Sequence, residues 1–439
     1  MMSAPSTIPA TMRLYRLVMT GLLPLLPSYL KKRAKTGKED PVRLEERRGF
    51  GYQPLPLSHQ RIWLHAVSVG ESNAALSLAT ALSTPFPEAD FIITTGTVTA
   101  AQFIEDKKGA LPIHHIYAPF DAPAPVKRFL DHSKPDMAIF LESDFWPCLL
   151  EETQKRAIDI YFASAQMSQN AFTNWQKYQS LSHYLFKHIR YCFAVDEVQN
   201  RQFTSLGIAQ CETVGSLKLP AQPQLDENFI KPIKKAASGR FILLAASTHE
   251  GEEARALSLS RALNAAGRDH LLIIAPRHPE RGDEIVTLLG PVKRRSHAEL
   301  PAPGDKLYLA DSLGDMASLY KACDIVFLGA TFSGKGGHNP LEPASHGKPI
   351  ICGPSQFKNQ FEFDALLAQE ICFQISDEQQ MLSFILQLID DKAALSRIAK
   401  QGKAYVKKTE KRSVNVASKI ASFYKETSKA KSTSKRASS

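Results

Sequence analysis

The sequence predicts an α/β protein of two domains, each a parallel β-sheet covered on both faces by helices. Three observations predict it. Apolar runs alternate with stretches of helical periodicity along most of the chain, the pattern of βαβ units. A proline-containing, aperiodic stretch at 219–228 (LPAQPQLDEN) divides the series into two halves of similar size. The length, 439 residues, suits roughly two or three domains, each with its own core.

Composition narrows the class. A chain with 44% hydrophobic and 22% charged residues is ordinary globular material, which excludes wholesale disorder, collagen-like repeats and a polytopic membrane protein. The formal charge of +10 favours anionic partners without choosing among phosphorylated metabolites, anionic lipid and nucleic acid. Six cysteines occur with no CxxC spacing, which argues against a disulfide framework or structural zinc and for a reducing compartment.

Taken in order, residues 1–40 form a membrane-associated segment. Leu14 to Leu30 is largely apolar but is interrupted by Arg16, Pro24 and Pro27, too short a run to span a bilayer comfortably. The basic cluster Lys31, Lys32, Arg33 and Lys35 follows. Apolar residues beside such a cluster suit a helix lying in the interface of an anionic leaflet, on the cytoplasmic side. The alternative is an amphipathic helix packed on its own domain. The first domain, 41–218, carries strands at 62–69, 91–96, 114–120, 137–142, 158–165 and 191–196. After the 219–228 linker, the second domain, 229–425, carries strands at 241–247, 270–276, 306–311, 324–330 and 349–354. The Ser/Lys-rich residues 426–439 read as a disordered basic tail. Two such halves joined once commonly place a ligand cleft between them.

Five motifs could carry chemistry. In HAVSVGES (65–72) a strand gives way to a helix through Gly70. Ser68 and Glu71 have capping-box spacing. The same position sets Glu71 at the carboxyl edge of a sheet, where an ionised carboxylate can take a proton from a hydroxyl. In FLESDFWP (140–147) Glu142 ends a strand and reads as a cleft residue, whereas Asp144 reads as a helix cap. In AASTHEGEE (245–253) Ser247 and Glu250 again fit a capping box, and the turn offers hydroxyls and N–H groups to an anion. In APRHPERG (275–282) Arg277 presents a planar fork suited to phosphate. The fifth, GATFSGKGGHNPLEPASHGKP (329–349), is the most specific. Its glycines, including Gly329, permit close backbone approach, Asn339 is placed to cap a helix at Pro340, and Glu342 is a candidate partner for a ribose diol. It is not a nucleoside-triphosphate P-loop.

Together these motifs, with Arg13-Leu14-Tyr15 and Glu46-Arg47-Arg48-Gly49, resemble the 3-deoxy-D-manno-octulosonic acid (Kdo) transferases of Gram-negative lipopolysaccharide synthesis. The resemblance runs from Arg13 to about Ser376. It implies a GT-B glycosyltransferase, with two Rossmann-like domains facing a central cleft, that moves Kdo from CMP-Kdo to a hydroxyl of the lipid A precursor (lipid IVA). Transfer would invert the anomeric centre with no metal and no cofactor beyond the donor. By matching position, Glu71 is the implied base and Glu142 the second catalytic acid group. Arg277, Asn339 and Glu342 match donor-site positions, with Ser247 and Gly329 beside them, and Ser68 and Gly70 fall on the acceptor side. The implied setting is the cytoplasmic face of the inner membrane, held peripherally or by the N-terminal segment, with anionic lipid and glycolipid as partners.

No interleaving of aromatic and basic residues indicates nucleic acid. A GT-B enzyme using a UDP-sugar and a non-enzymatic adaptor on the same fold are the alternatives. Two departures stand out: Ser164-Ala165-Gln166 where the family usually has Asn-Ala-Arg, and Gly215-Ser216-Leu217-Lys218 where it often has Gly-Asn-Leu-Lys.

Overall fold

A computed structural model describes residues 7–58, 60–220 and 225–437, with side chains through Thr427. The chain divides into two units, Met1–Leu219 with Thr409–Ser439, and Pro220–Lys408.

The first unit holds a seven-stranded, all-parallel sheet. Its strands are β1 (Gln60–His65), β2 (Ala89–Thr95), β3 (Ile113–Tyr117), β4 (Met137–Leu141), β5 (Asp159–Ala165), β6 (Tyr191–Ala194) and β7 (Cys211–Thr213), in the order β3-β2-β1-β4-β5-β6-β7. The second unit repeats the plan with β8 (Phe241–Thr248), β9 (His270–Pro276), β10 (Leu307–Leu309), β11 (Ile325–Leu328), β12 (Ile350–Cys352) and β13 (Cys372–Gln374), ordered β10-β9-β8-β11-β12-β13. Each order reverses direction once, between β1 and β4 and between β8 and β11. In open α/β sheets ligands bind outside the carboxyl ends of the strands at such a switch point. The eleven expected strands are present. β7 and β13 add to them, each a three-residue strand at one edge of its sheet.

Strand burial follows from side-chain alternation. Trp63, Ala138, Phe140 and Phe162 pack on one face of the first sheet, and Ile62, Leu64, Ile139, Leu141 and Tyr161 on the other. Both faces are therefore core, as a doubly wound sheet requires. The largest buried side chains form a contiguous aromatic set: Trp63 lies edge-on to Phe140 at 5.3 Å, and Phe145 stacks on Phe162 at 4.3 Å.

Both chain ends pack on the first unit. Helix α1 (Ala10–Leu22) and helix α2 (Leu26–Ala34) are separated by one 3-10 turn at Pro24. They pack on their own domain along one face. Met12, Leu26 and Leu30 are buried, Tyr15 donates to Asp121 at 2.7 Å, and Arg16 pairs with Glu151 at 3.1 Å. The other face leaves Leu14, Leu17, Val18, Leu22, Leu25 and Tyr29 exposed. Among the described residues no helix is long and apolar enough to cross a membrane.

At the other end, the second domain does not run to 425. The last helix, Lys392–Ala437, carries the chain back, and from Thr409 it belongs to the first unit. Val416, Ala417, Ile420 and Ala421 are buried in that unit's core, and Phe423 stacks on Tyr191 at 4.6 Å. This anchoring nucleates a helix that continues past 426, where a disordered tail was expected. Ser438 and Ser439 lie outside the described residues, as do 221–224 of the expected linker. That linker's last two residues already open a helix, Glu227–Ala237.

Candidate active site

In the first unit the acidic groups gather over the β1/β4 switch point. β1 ends at His65, and helix α3 (Val69–Leu82) begins four residues later. The capping box is complete. Ser68 Oγ accepts from Glu71 N at 3.4 Å, and Glu71 Oε2 accepts from the amides of Val67 and, at 3.2 Å, Ser68. Both of these bonds use Oε2, so the cap leaves Oε1 out. Glu71 is only 5% exposed. Burial first, then the charges of Asp144 and Glu142, push its carboxyl up to about 8, against the pull of the two amides.

Asp144 is not the helix cap that its position predicted. The helix Pro147–Lys155 has no side-chain cap of its own. Its first amides, Cys148 N and Leu149 N, donate to Asp121, 27 and 28 residues back, at 3.1 and 2.8 Å. Asp144 is thereby left to pair with Glu71, whose hydrogen bond lowers it while burial and Glu142 raise it more.

Glu142 sits at φ +57, a left-handed conformation uncommon outside glycine and often found at functional positions. Its Oε2 accepts from Gln166 Nε2 at 2.9 Å and pairs with Lys218 Nζ at 3.2 Å, whereas Oε1 is buried without a partner. The two sequence departures meet here. Gln166 donates a hydrogen bond to Glu142 but brings no charge, and Lys218 supplies the cation. Ser164, also left-handed at φ +55, accepts from Leu217 N at 3.2 Å and holds the Lys218 segment against the sheet. The Lys218 stem passes beside Gly70, where an added Cβ would lie 3.5 Å from it.

In the second unit the candidate donor residues surround the β8/β11 switch point. Ser247 is left-handed at φ +52, and Gly329 lies directly against its carbonyl. A methyl at Gly329 would overlap backbone, not a flexible side chain. Gly329→Ala is therefore expected to cost about 1–3 kcal/mol through overpacking, read as a lowered urea midpoint at unchanged m-value. Arg277 follows β9, is exposed, and lies near enough to Glu342 to oppose the rise that burial imposes, which leaves that carboxyl at about 7. Asn339 accepts from Leu341 N at 3.0 Å. The helix it precedes starts at Leu341 and has only five residues, so Glu342 closes no capping box there and the helix end contributes little field.

The expected Ser247–Glu250 capping box is absent. β8 continues through Thr248, and the next helix starts at Glu252 behind a left-handed Gly251. The acidic residue that matters is Glu252, which the sequence reading did not single out. It is buried, and it accepts from four amides: His249 at 2.9 Å, Ala330 at 2.8 Å, Phe332 at 3.0 Å and Ser333 at 3.2 Å. This carboxylate fixes the start of the glycine-rich loop. Glu253 is also buried and accepts from Thr248 and Arg281 at 2.9 and 2.8 Å. Glu252 and Glu253 therefore both serve the scaffold. Three histidines join the group: His338 stacks on His249 at 5.3 Å between ring centres, and His278 meets His249 edge-on at 5.7 Å.

Solved structures place this architecture. The chain is similar to a putative UDP-N-acetylglucosamine 2-epimerase from Listeria monocytogenes, with TM-score 0.58 and 14% identity over 83% of this chain and 97% of that one. It is also similar to the glycotransferase of kitacinnamycin, with TM-score 0.52 and 12% identity over 84% and 100%. At such identity the likeness is one of fold, and the fold class is GT-B, two Rossmann-like α/β units.

Sequence relatives narrow it further. The family model described as 3-Deoxy-D-manno-octulosonic-acid transferase (kdotransferase) matches residues 42–221. A 3-deoxy-D-manno-octulosonic acid transferase of Rickettsia bellii (strain RML369-C) is 31% identical over 385 residues, 86% of this chain and 91% of that protein. The chain belongs to the Kdo transferase family, and it is a glycosyltransferase that moves Kdo.

Proposed function

We propose that this enzyme transfers Kdo from CMP-Kdo to a hydroxyl of the lipid A precursor (lipid IVA), with inversion and without a metal, at the cytoplasmic face of the inner membrane. The observation that carries the reading is Glu71: a buried carboxyl with a raised pKa, held over the first switch point by two backbone amides.

A sugar hydroxyl becomes a competent nucleophile when a base takes its proton during attack. In the proposed step the acceptor oxygen bonds to the anomeric carbon and its proton passes to Glu71. The bond from that carbon to the CMP phosphate breaks, and its electron pair leaves with the phosphate. Arg277 offsets the charge that develops there. Glu342 suits a ribose hydroxyl, and Ser247, Gly329 and Asn339 shape the nucleotide's seat. Ser68 and Gly70 border the base on the acceptor side, and Glu142, held by Lys218, positions the acceptor sugar. The exposed apolar face of α1 and the basic residues Lys31, Lys32 and Arg33 suit attachment to an anionic leaflet.

The test is incubation with CMP-Kdo, generated in place because it is labile, and lipid A precursor, with products read by mass spectrometry. Discrete Kdo mass increments are expected, and none with UDP-sugars. Arg277→Ala should raise the KM for CMP-Kdo about 10- to 100-fold, the worth of a hydrogen bond to a charged group. A product with a UDP-sugar and none with CMP-Kdo would replace the donor assignment.

A further inference from the structure

We propose that a cavity in the first unit, between the N-terminal helices and the carboxyl edge of the sheet, seats one acyl chain of the glycolipid acceptor. This rests on the reading that the acceptor is a glycolipid.

The cavity measures about 430 Å³ and lies wholly within this unit. Its walls come from two sources. Met19, Leu26, Tyr29 and Leu30 belong to α1 and α2, while Val67, Ala118, Phe120 and Leu149 follow the ends of β1, β3 and β4. The volume stands toward the low end of the ~300–1,000 Å³ typical of ligand pockets, room for one chain but not a whole glycolipid.

Three features identify the occupant. First, the cavity adjoins the base: Val67, one of its lining residues, donates its amide to Glu71. Anything anchored here is anchored next to the reacting hydroxyl. Second, it is continuous with the exposed apolar face of the N-terminal helices. Tyr29 and Trp146 line it and are 55% and 44% exposed, and Leu17 and Val18 lie exposed on α1 and Leu25 on the turn that joins it to α2. A chain leaving a bilayer would stay in contact with apolar surface throughout. Third, the polar groups match a lipid with an anionic head. Arg33 and Arg47 share the carboxylate of Glu39, at 2.9 and 3.0 Å, while the cavity's other carboxylate, Asp121, is taken up by Tyr15 and by the amides of Cys148 and Leu149. His65 is 1% exposed and lines the cavity, with its Nε2 unpartnered. Its Nδ1 lies 2.9 Å from Thr94 Oγ1, which accepts from Trp63 Nε1 at 2.9 Å. With the Thr94 hydroxyl proton directed to Nδ1, His65 Nε2 carries a proton that an ester or amide oxygen near the head of the chain can accept.

Each methylene moved from water to apolar surroundings is worth about fourfold in affinity, so loss of a few contacts is measurable. The experiment uses the full-length protein and two acceptors in one detergent: the lipid A precursor, and a derivative with its acyl chains trimmed short. The readout is the ratio of kcat/KM for the long-chain acceptor over the short. Met19→Trp, at a half-buried wall position, should lower that ratio about 15-fold, two methylenes' worth by the same conversion. Trp146→Ala, which removes an exposed wall, should lower it too and guards against misfolding of the first variant. The same ratio in both variants as in wild type overturns the cavity assignment alone. Weakened vesicle binding with an unchanged ratio assigns the cavity to bulk bilayer and overturns it as well. Absence of Kdo transfer by wild type to either acceptor overturns the acceptor reading, and this inference with it.

Discussion

Glu71→Gln should reduce kcat by about 10²–10⁴, the usual contribution of a positioned general base, with the KM for CMP-Kdo little changed. The substitution keeps the shape of the side chain and leaves an oxygen to accept from Val67 and Ser68, so α3 should start where it does now. What it removes is the proton acceptor.

The pH dependence provides a second signature. A base works only when ionised, and burial with two neighbouring carboxylates holds Glu71 at about 8. Wild-type kcat/KM should therefore rise through neutrality and level off above about 8, not near the ordinary carboxylate range. Stability runs the opposite way. Because the folded pKa lies above the unfolded one, the native state is favoured below the unfolded value and loses that contribution as pH rises through the folded one. Glu71→Gln should thus melt higher than wild type at alkaline pH and differ little in acid. A kcat unchanged by Glu71→Gln would remove this residue from the chemistry.

Glu252→Ala should be the most destabilising single change in the second unit. It strands four amides that converge on one buried carboxylate. A buried group left without its partner costs about 1–3 kcal/mol, but the 330–333 segment can shift toward water and recover part of this. A net loss of about 3–5 kcal/mol is expected, about 10 °C in melting temperature for a domain this size. Affinity for the donor should fall with it, because the glycine-rich loop is no longer held at the switch point. Glu252→Gln retains one acceptor oxygen and should recover roughly half of both losses. A melting temperature within a degree or two of wild type for Glu252→Ala would show that the loop is fixed by other contacts.

Much of this protein was legible before any coordinates. The eleven strands β1 to β6 and β8 to β12, the Ser68–Glu71 capping box, and the placement of Glu71 and Glu142 at strand ends all followed from patterns a few residues long. The motifs in order indicated the family. The misses share a cause. Asp144 was read as a cap because Pro147 follows it, yet the amides it would have capped are taken by Asp121 from a distant loop. Glu250 was read as a box partner for Ser247, yet Gly251 turns the chain and gives that end of the helix to Glu252. The basic tail from 426 looked structureless, yet the helix that runs into it is docked just before it, where Val416, Ala417, Ile420 and Ala421 enter the first unit's core.

The sequence alone therefore determined what is local: which segments are strands, where turns allow close approach, and which carboxylates end a strand. These depend on propensity and spacing, whose range is one or two helical turns. Tertiary structure decided which of those carboxylates remain available. A buried acid is used up by whatever amide or cation the fold brings within hydrogen-bonding reach, and such partners sit 24 to 80 residues away. Glu252 lost its freedom to a loop far along the chain, Glu142 is steadied by Lys218, and Glu71 keeps an oxygen that the cap does not use.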